Sequence, residues 1–343
     1  MSKKILVVQP DLRAYRVSFF MELYNNYKFF QLLHYGKKTF NKDFEMLKKP
    51  RIKEIAGFKW IFNFSKLIDN NDIIIVPFDI HWLNFFLLSN KSLEKIIFWG
   101  HGLGKSKIAN KLKLIVGRKV GAIVTYSELG RETLIKNGLS KEQVFVAHNT
   151  IHIPNHELTD CGKDGYFLYV GRLQFRKRLD IFITALSNHR DVFGDVKLVI
   201  VGDGEVERKR LEQFAKDLNV FNNVIFKPGT INNDELKTIY MNAKCYVSPG
   251  HVGLGVLHSF SYGVPVICIR NDYHAPEVEN IDGTNGFICD SIEDFEQKLL
   301  ELEKTGYNDL AKNAYSHYVE KRTNSNMVSG FISAINYVKT KED

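Results

Sequence analysis

The sequence predicts an α/β protein made of two Rossmann-like, doubly wound domains that face a central cleft. Short, fully apolar segments alternate with segments of helical spacing in both halves of the 343-residue chain, as expected of parallel strands that helices cover on both faces. A polar stretch interrupts this alternation near residue 150. Because such sheets bind ligands beyond the carboxyl ends of their strands, we expect the functional site in the cleft between the domains.

In the first half, four apolar runs are predicted strands, and three segments of helical spacing lie between and after them. The third helical segment has clear boundaries, with Ser127 as its N-cap residue and Gly138 as its stop. We expect residues 1–150 to form the first domain. The strands are KILVVQP, DIIIVPFD, KIIFWGHG and GAIVTYS, and the helices are YRVSFFMELYNNY, KSKIANKLKLIVGRK and SELGRETLIKNG.

The second half follows the polar stretch VFVAHNTIHIPNHELTDCGKDG, which contains Pro154 and two glycines. We expect residues 151–325 to form the second domain, because the alternation of strands and helices restarts there. Residues 326–343 are expected to form a C-terminal helix that packs back on the first domain. The predicted strands of the second domain are GYFLYVGRL, VKLVIVGDG, NVIFKPG, CYVSPG and VPVICIR.

The first half of the chain is strongly basic. Residues 1–150 contain 25 Lys and Arg against 12 Asp and Glu, whereas the remainder contains 22 against 27. This asymmetry predicts that the first domain faces an anionic membrane surface. A solvated basic face is the alternative, and no recognition motif supports nucleic acid as a partner. In the segment KSKIANKLKLIVGRK, one predicted helix face carries Lys107, Lys111 and Arg118, and another carries Ile108, Leu112 and Ile115.

The chain is expected to act in the cytoplasm, with a peripheral position on the inner face of the cell membrane. Its first apolar run is about five residues long and ends at Gln9, which is too short for a signal peptide. The longest apolar stretch, HWLNFFLLS, is far below the roughly 20 residues of a membrane span. The four cysteines lie far apart in the sequence, which indicates neither a disulfide framework nor a zinc knuckle. They are Cys161, Cys245, Cys268 and Cys289.

Glycines and basic residues follow three strands of the second domain. The first strand ends in Gly171 and Arg172, and Lys177 comes five residues later, near the start of the next helix. The second ends in the sequence Gly202-Asp203-Gly204, and the third in the segment SPGHVGLG. Strand-end glycines let backbone amides approach a ligand, and the two cations supply charge for a diphosphate. The chain has neither a Walker loop nor a G-x-G-x-x-G motif after the first strand, which argues against a P-loop enzyme or an ordinary dehydrogenase.

The second half resembles the C-terminal domain of glycosyltransferase family four, whose members have the GT-B fold. The resemblance covers roughly residues 165–300 and keeps the order of four phrases, whereas the first half matches more loosely. The phrases are YVGRLQFRKRLDIFITAL, the segment KLVIVGDG through CYVSPG, LHSFSYGVPVI and APEVENIDGTNGFI.

The resemblance implies that the second domain binds a nucleotide-diphosphate sugar. Arg172 and Lys177 would then clamp the diphosphate, next to the strand-end Gly171. The resemblance places Gly202, Asp203 and the segment around Ile231 near the nucleotide, and it makes Glu277 a further candidate for a sugar or ribose contact.

The chain departs from the family at two glutamates, eight residues apart, that contact the sugar and the ribose. The alignment puts His258 at the second glutamate and Gly250 at the first. An imidazole can still hydrogen-bond a ribose hydroxyl. For the lost sugar contact, we expect His251 or the backbone amides of residues 251–254 to take over, and these amides would serve the diphosphate equally well. The donor loop therefore comprises Gly250, His251, Val252, Gly253 and Leu254.

Three residues of the first domain are candidates on the acceptor side. His101 ends the apolar strand IIFWG, where the family has a histidine near the donor sugar, and it is expected to orient the acceptor or to polarise the sugar. Tyr15 and Arg16 follow the first strand and are the weaker candidates. No H-E-x-x-H or Asp-x-Asp motif is present, so we expect no metal ion and no cofactor besides the nucleotide sugar.

Taken with the resemblance, these features predict a retaining, metal-independent hexosyltransferase. It would transfer a sugar to a saccharide acceptor, lipid-linked in our expectation, during the synthesis of a surface polysaccharide, a capsule or an O-antigen. Two alternatives stay open. One is a catalytically impaired partner or binding subunit, and the other is a nucleotide-sugar epimerase of the same fold.

Overall fold

The computed structural model describes residues 4–10, 12, 14–27, 29–34, 52–153 and 165–340. These residues form two compact units. The first unit holds the described residues up to His152 and those from Thr323 onward, and the second unit is Ile153–Arg322. Cys161 lies outside the described residues, whereas the other three cysteines are buried and unpaired. Within the ranges given above, no helix combines the length and the apolar character needed to cross a membrane.

The first unit is built on a parallel sheet with the order β2-β1-β5-β6-β7-β8. The short antiparallel hairpin β3–β4 was not predicted from the sequence. Helix α5 begins after Ser127, whose side chain accepts a hydrogen bond from the amide of Gly130, as expected of an N-cap. The elements are β1 (Lys4–Gln9), α1 (Val17–Asn25), β2 (Phe29–His34), β3 (Ile52–Ile55), β4 (Phe58–Ile61), α2 (Phe64–Asp69), β5 (Ile73–Pro77), α3 (Asn90–Glu94), β6 (Ile96–Gly100), α4 (Lys107–Gly117), β7 (Ala122–Thr125), α5 (Glu128–Lys136) and β8 (Val144–Val146).

The second unit repeats this plan with the order β11-β10-β9-β12-β13-β14, again with every strand pair parallel. The strand order reverses between β9 and β12, so the loops that follow these two strands leave the same edge side by side. The elements are β9 (Tyr166–Val170), α6 (Leu179–Asn188), α7 (Arg190–Phe193), β10 (Leu198–Val201), α8 (Glu205–Asp217), β11 (Val224–Lys227), α9 (Asn233–Met241), β12 (Ala243–Val247), α10 (Gly255–Ser261), β13 (Val266–Ile269), β14 (Gly286–Cys289), α11 (Ile292–Thr305) and α12 (Asn308–Lys321). The predicted pair of Rossmann-like α/β units is confirmed.

The last helix, α13 (Asn324–Thr340), completes the core of the first unit. Phe331 is 1% exposed, and its ring centroid lies 5.2 Å from that of Phe19 and 4.8 Å from that of Trp99. Gly330 lets the helix approach the sheet, because a Cβ there would lie 2.3 Å from the carbonyl oxygen of Val146. The chain therefore returns to its first sheet after the second unit is complete.

We predict that Phe331→Ala lowers the free energy of unfolding of the first unit by about 3–5 kcal/mol, the usual cost of truncating a buried aromatic side chain. Urea unfolding followed by tryptophan fluorescence measures this, since all three tryptophans lie in the first unit. Phe62→Ala is the matched control, because Phe62 is 37% exposed. If both variants lost the same free energy of unfolding, Phe331 on α13 would contribute no more to stability than an exposed phenylalanine does.

Candidate functional site

The candidate site lies at the carboxyl edge of the second sheet, where the strand order reverses. Residues 171–178 leave β9 here and form the basic loop, and residues 248–254 leave β12 and form the glycine loop. Open α/β sheets bind their ligands at such switch points. The two loops that the sequence singled out for the diphosphate are therefore neighbours.

Backbone hydrogen bonds fasten these two loops to each other. The amide of Gly250 donates to the carbonyl of Lys177 at 3.0 Å, and the amide of His251 donates to the carbonyl of Arg176 at 2.9 Å. The ammonium group of Lys177 also donates to the carbonyl of His251 at 2.6 Å. Both the main chain and the side chain of Lys177 are thereby fixed against the glycine loop.

Gly250 has no room for a side chain. A Cβ at this position would lie 2.1 Å from the carbonyl oxygen of Arg176 and 2.8 Å from the carbonyl carbon of Lys177. The path of the backbone itself thus excludes the glutamate that the resemblance aligns with Gly250. At Gly253, by contrast, the nearest atom would be 3.8 Å away, which is an ordinary van der Waals contact.

Two of the four amides expected to serve the donor are used within the protein. The amide of His251 bonds to Arg176 as described, and the amide of Val252 donates to Nδ1 of His274 at 3.1 Å. Among the described residues, nothing accepts a hydrogen bond from the amides of Gly253 and Leu254, which lie just before α10. These two amides are the donors that the glycine loop offers to an anion.

His274 is a site residue that sequence reasoning missed. Its Nε2 lies 2.9 Å from the carbonyl oxygen of Ile269, which can only accept, so Nε2 carries the proton and Nδ1 accepts from Val252. Burial lowers the pKa of His274, and the cations Lys177 and Arg270 lower it further. The neutral imidazole therefore holds the glycine loop in place. Its position in the polar segment after β13 was the one sequence signal that pointed to it.

Positive charge dominates the basic loop. Burial, followed by repulsion from Arg176 and Arg172, lowers the pKa of Lys177 to about 8. Burial, followed by repulsion from Lys177 and Arg176, also lowers the pKa of His251 to about 4, so its ring is neutral at pH 7. A bound diphosphate would relieve this repulsion and raise the pKa of Lys177.

The residues predicted near the nucleotide form a tight turn after β10. Gly202 has φ of +158°, and a Cβ on it would lie 1.8 Å from the carbonyl oxygen of Gly171, so only glycine fits. The carboxylate of Asp203 accepts a hydrogen bond from the amide of Gly229 at 3.0 Å. Asp203 thereby ties this turn to the loop after β11, where Ile231 is 88% exposed.

Of the two remaining donor-side candidates, His258 is half-buried and Glu277 is buried. His258 on α10 lies with its ring 4.6 Å from Tyr240 and 5.8 Å from Tyr262, and its Nε2 is buried without a partner among the described residues. Nε2 therefore exposes no surface to a ribose in this structure. Glu277 is only 5% exposed, in the 3-10 turn Pro276–Asn280.

In the first unit, Arg16 and His101 both lie against Tyr126, and Tyr15 lies against Arg16. The guanidinium of Arg16 lies 4.7 Å from the ring centroid of Trp99 and 5.3 Å from those of Tyr15 and Tyr126. Arg16 is 8% exposed, whereas His101 is exposed and its ring lies 4.7 Å from that of Tyr126. Arg16 therefore serves to fix the aromatic cluster, and His101 and Tyr15 are members that a ligand can reach.

Within the part of the chain that the structure describes, no three His, Cys, Asp or Glu side chains lie close enough together to hold a metal ion. The charge offered to a ligand in the second unit comes from the side chains and amides of the two loops.

Residues 157–317 match the model of the family "Glycosyl transferases group 1". The chain is 36% identical over 134 residues to a D-inositol 3-phosphate glycosyltransferase of Acidothermus cellulolyticus, an alignment that covers 36% of this chain and 29% of the relative. It is 24% identical over 241 residues to an uncharacterized 41.2 kDa protein in the cps region of Klebsiella pneumoniae, covering 63% of each chain. The matches thus span less than two thirds of these curated relatives.

Solved structures match over nearly the whole chain. The lipopolysaccharide outer core galactosyltransferase WaaB superposes with a TM-score of 0.73 at 17% identity, covering 97% of this chain and 99% of that one. Anabaena Alr3699/HepE in complex with UDP and glucose superposes with a TM-score of 0.67 at 14% identity and the same coverage. These likenesses show the fold. The predicted GT-B fold and the predicted resemblance to a glycosyltransferase family are confirmed.

We predict that Gly250→Ala destabilises the second unit by about 1–3 kcal/mol, the usual cost of forcing an extra methyl group into a filled site. The new methyl group would collide with the carbonyl of Arg176. Thermal unfolding measures the loss, and Gly253→Ala, where the space is open, is the control. Equal stability of the two variants would contradict the close pairing of the two loops.

We predict that the stability of the second unit falls as the pH drops from about 6.5 towards 4. Burial lowers the pKa of His258 to about 4, whereas an exposed histidine titrates near 6.5. In that window the unfolded chain takes up a proton that the folded chain does not, so acid favours unfolding. His258→Gln should reduce the dependence of the melting temperature on pH, and His152→Gln, at an exposed position, should not. The other buried histidines should leave some dependence of the melting temperature on pH in this variant. A dependence as steep in His258→Gln as in the unsubstituted protein would contradict the burial of the His258 ring.

Proposed function

We propose that this chain, whose second unit is a domain of the group 1 glycosyl transferases, moves a sugar from a nucleotide-diphosphate sugar to a saccharide acceptor with retention of configuration. The acceptor is lipid-linked, and the product belongs to a surface polysaccharide, a capsule or an O-antigen. The Klebsiella relative from a cps region and the likeness to a lipopolysaccharide galactosyltransferase support this assignment of the product. The reaction takes place in the cytoplasm.

The observation that carries the proposal is the setting of Lys177. Its ammonium group is held against the glycine loop, in which the amides of Gly253 and Leu254 have no acceptor among the described residues. A lysine beside backbone amides that have no acceptor is an arrangement that favours a phosphate group. Arg172, which is exposed on the basic loop together with Lys177, adds a second positive charge.

In the proposed reaction, the bond between the anomeric carbon and the diphosphate oxygen breaks, and a bond from that carbon to the acceptor oxygen forms on the same face. Arg172, Lys177 and the two amides stabilise the negative charge that develops on the leaving diphosphate. The acceptor hydroxyl gives up its proton to the leaving diphosphate oxygen as it attacks, and no protein nucleophile is required. We propose that no metal ion takes part, because these groups supply the charge.

The first unit supplies the acceptor site. His101 is an exposed member of the aromatic cluster at the carboxyl edge of its sheet, and we assign to it the orientation of the acceptor. Arg16 and Tyr15 act through this cluster, since the guanidinium of Arg16 is packed among the rings.

A binding subunit without transferase activity is the second candidate, favoured by the excluded side chain at Gly250. It would bind a nucleotide sugar through the same two loops without turning it over. An epimerase is less well supported, because Glu277, the clear carboxylate candidate for its acid or base, is buried.

We predict that one of the UDP, GDP, CMP, TDP or ADP sugars raises the melting temperature, and that Arg172→Ala and Lys177→Ala each weaken its binding about tenfold or more, the usual effect of losing a charge-assisted contact. Arg190→Ala and Lys237→Ala, at exposed positions on the same unit, are the matched controls. Thermal shift followed by calorimetry measures both sets.

The donor found in this screen is then incubated with saccharide acceptors, and proton NMR of the product gives the anomeric configuration. Transfer with retention supports the proposal. Full binding by Arg172→Ala and Lys177→Ala would contradict the placement of the donor. Binding without transfer to any acceptor would favour the binding subunit, and conversion of the donor sugar without an acceptor would favour the epimerase.

A further inference from the structure

Helix α4 turns an apolar stripe towards solvent. The sequence places Ile108, Leu112 and Ile115 on one face, and such a face ordinarily packs on the core. In the structure Ile108 is 77% exposed and Ile115 is 43% exposed, with Leu112 partly buried at the edge of the stripe. The core is contacted instead by a neighbouring face that includes Val116. The helix therefore exposes apolar surface that its own unit does not use.

Cations lie beside this stripe and follow its end. With about 100° of rotation per residue, Lys107 and Lys111 project along one flank of the stripe. Arg118 and Lys119 come directly after the last residue of the helix, Gly117. All four are exposed. None of them has a carboxylate partner among the residues that the structure describes.

The surrounding sequence contains no acidic residue. From residue 95 to residue 127 the chain has seven Lys and Arg and neither Asp nor Glu. Lys113 alone turns inward on α4, where its ammonium donates to the carbonyl of Gly102 and lies 4.9 Å from the ring centroid of Phe78. The outer face of the helix therefore carries two lysines beside the isoleucines, and two further cations follow its C-terminal end.

From this arrangement we infer that α4 docks on an anionic lipid bilayer, with Ile108 and Ile115 entering the boundary between headgroups and acyl chains. A helix that lies flat on a membrane combines an apolar stripe with flanking lysines and arginines in this way. Anionic headgroups complement the charges, and the hydrocarbon boundary accepts the isoleucines. A nucleic acid would satisfy the charges but would leave two exposed aliphatic side chains without a suitable partner.

Docking does not depend on the proposed transfer reaction, because the surface belongs to the first unit and needs neither donor nor acceptor. If the chain does act on a lipid-linked acceptor, this face would keep the enzyme at the surface where such acceptors lie. If the chain does not bind vesicles, the proposed transferase activity is not contradicted. If the chain transfers no sugar, the proposed membrane docking is not contradicted.

Cosedimentation of the full chain with vesicles tests the inference. Vesicles of phosphatidylcholine with about one third phosphatidylglycerol should bind the chain, and pure phosphatidylcholine vesicles should bind it about tenfold or more weakly, because the charges then lack a counterpart. Lys107→Gln with Lys111→Gln should lower binding to the anionic vesicles about tenfold. Ile108→Ser with Ile115→Ser should also lower it, whereas Ile108→Leu with Ile115→Leu should retain it.

The matched control changes similar side chains on the second unit, Ile292→Ser with Val319→Ser, which are 41% and 47% exposed, and should leave binding unchanged. Circular dichroism establishes that each variant is folded. Undiminished binding in the folded lysine or isoleucine variants would overturn the inference. So would binding to duplex DNA as tight as to anionic vesicles, lost with the same substitutions, because the surface would then serve any polyanion.

Discussion

The hydrogen bonds from the amides of Gly250 and His251 to the carbonyls of Lys177 and Arg176 are the constraint on which the candidate site depends. They bring together two loops that leave adjacent parallel strands. They also fix the ammonium of Lys177 at the switch point of the sheet, and they force glycine at position 250, where any Cβ would meet a carbonyl oxygen. The absence of a side chain where the resemblance aligns a glutamate is thus one consequence of a close backbone approach that also positions Lys177, the residue proposed to bind the diphosphate.

Two neutral histidines lie in or against the rest of the glycine loop, beside Lys177. His274 accepts from the amide of Val252, and His251 packs beside Lys177 with a pKa of about 4. Had either imidazole been charged, it would have added to the repulsion among Arg172, Arg176 and Lys177. Burial keeps both neutral, so the positive charge is concentrated in the basic loop, and the amides of Gly253 and Leu254 are the ones left to meet an anion.

The sequence was sufficient for the two parallel-sheet units, though not for the β3–β4 hairpin, because its signals are local. Buried parallel strands are continuously apolar, and features such as Ser127 before α5 or the glycines after β9 and β10 mark where each strand or helix ends. The geometry of the site depends on contacts between segments that are distant in the sequence. Local hydrophobic periodicity does not predict such contacts. The fit between Gly250 and Arg176 joins residues 74 positions apart, and His274 became visible only as the partner of Val252. Likewise, the spacing of Ile108 and Ile115 indicated one helix face but not that the face would stay uncovered.

Hydrogen–deuterium exchange with and without a bound nucleotide-diphosphate sugar tests the central claim most directly, namely that the paired basic and glycine loops hold the diphosphate. The account predicts that the ligand slows exchange in peptides covering residues 171–178 and 248–256, with the largest change at the amides of Gly253 and Leu254, which lack acceptors among the described residues. A nucleotide sugar that binds while exchange in both loops stays the same, or that protects only peptides of the first unit, would contradict it.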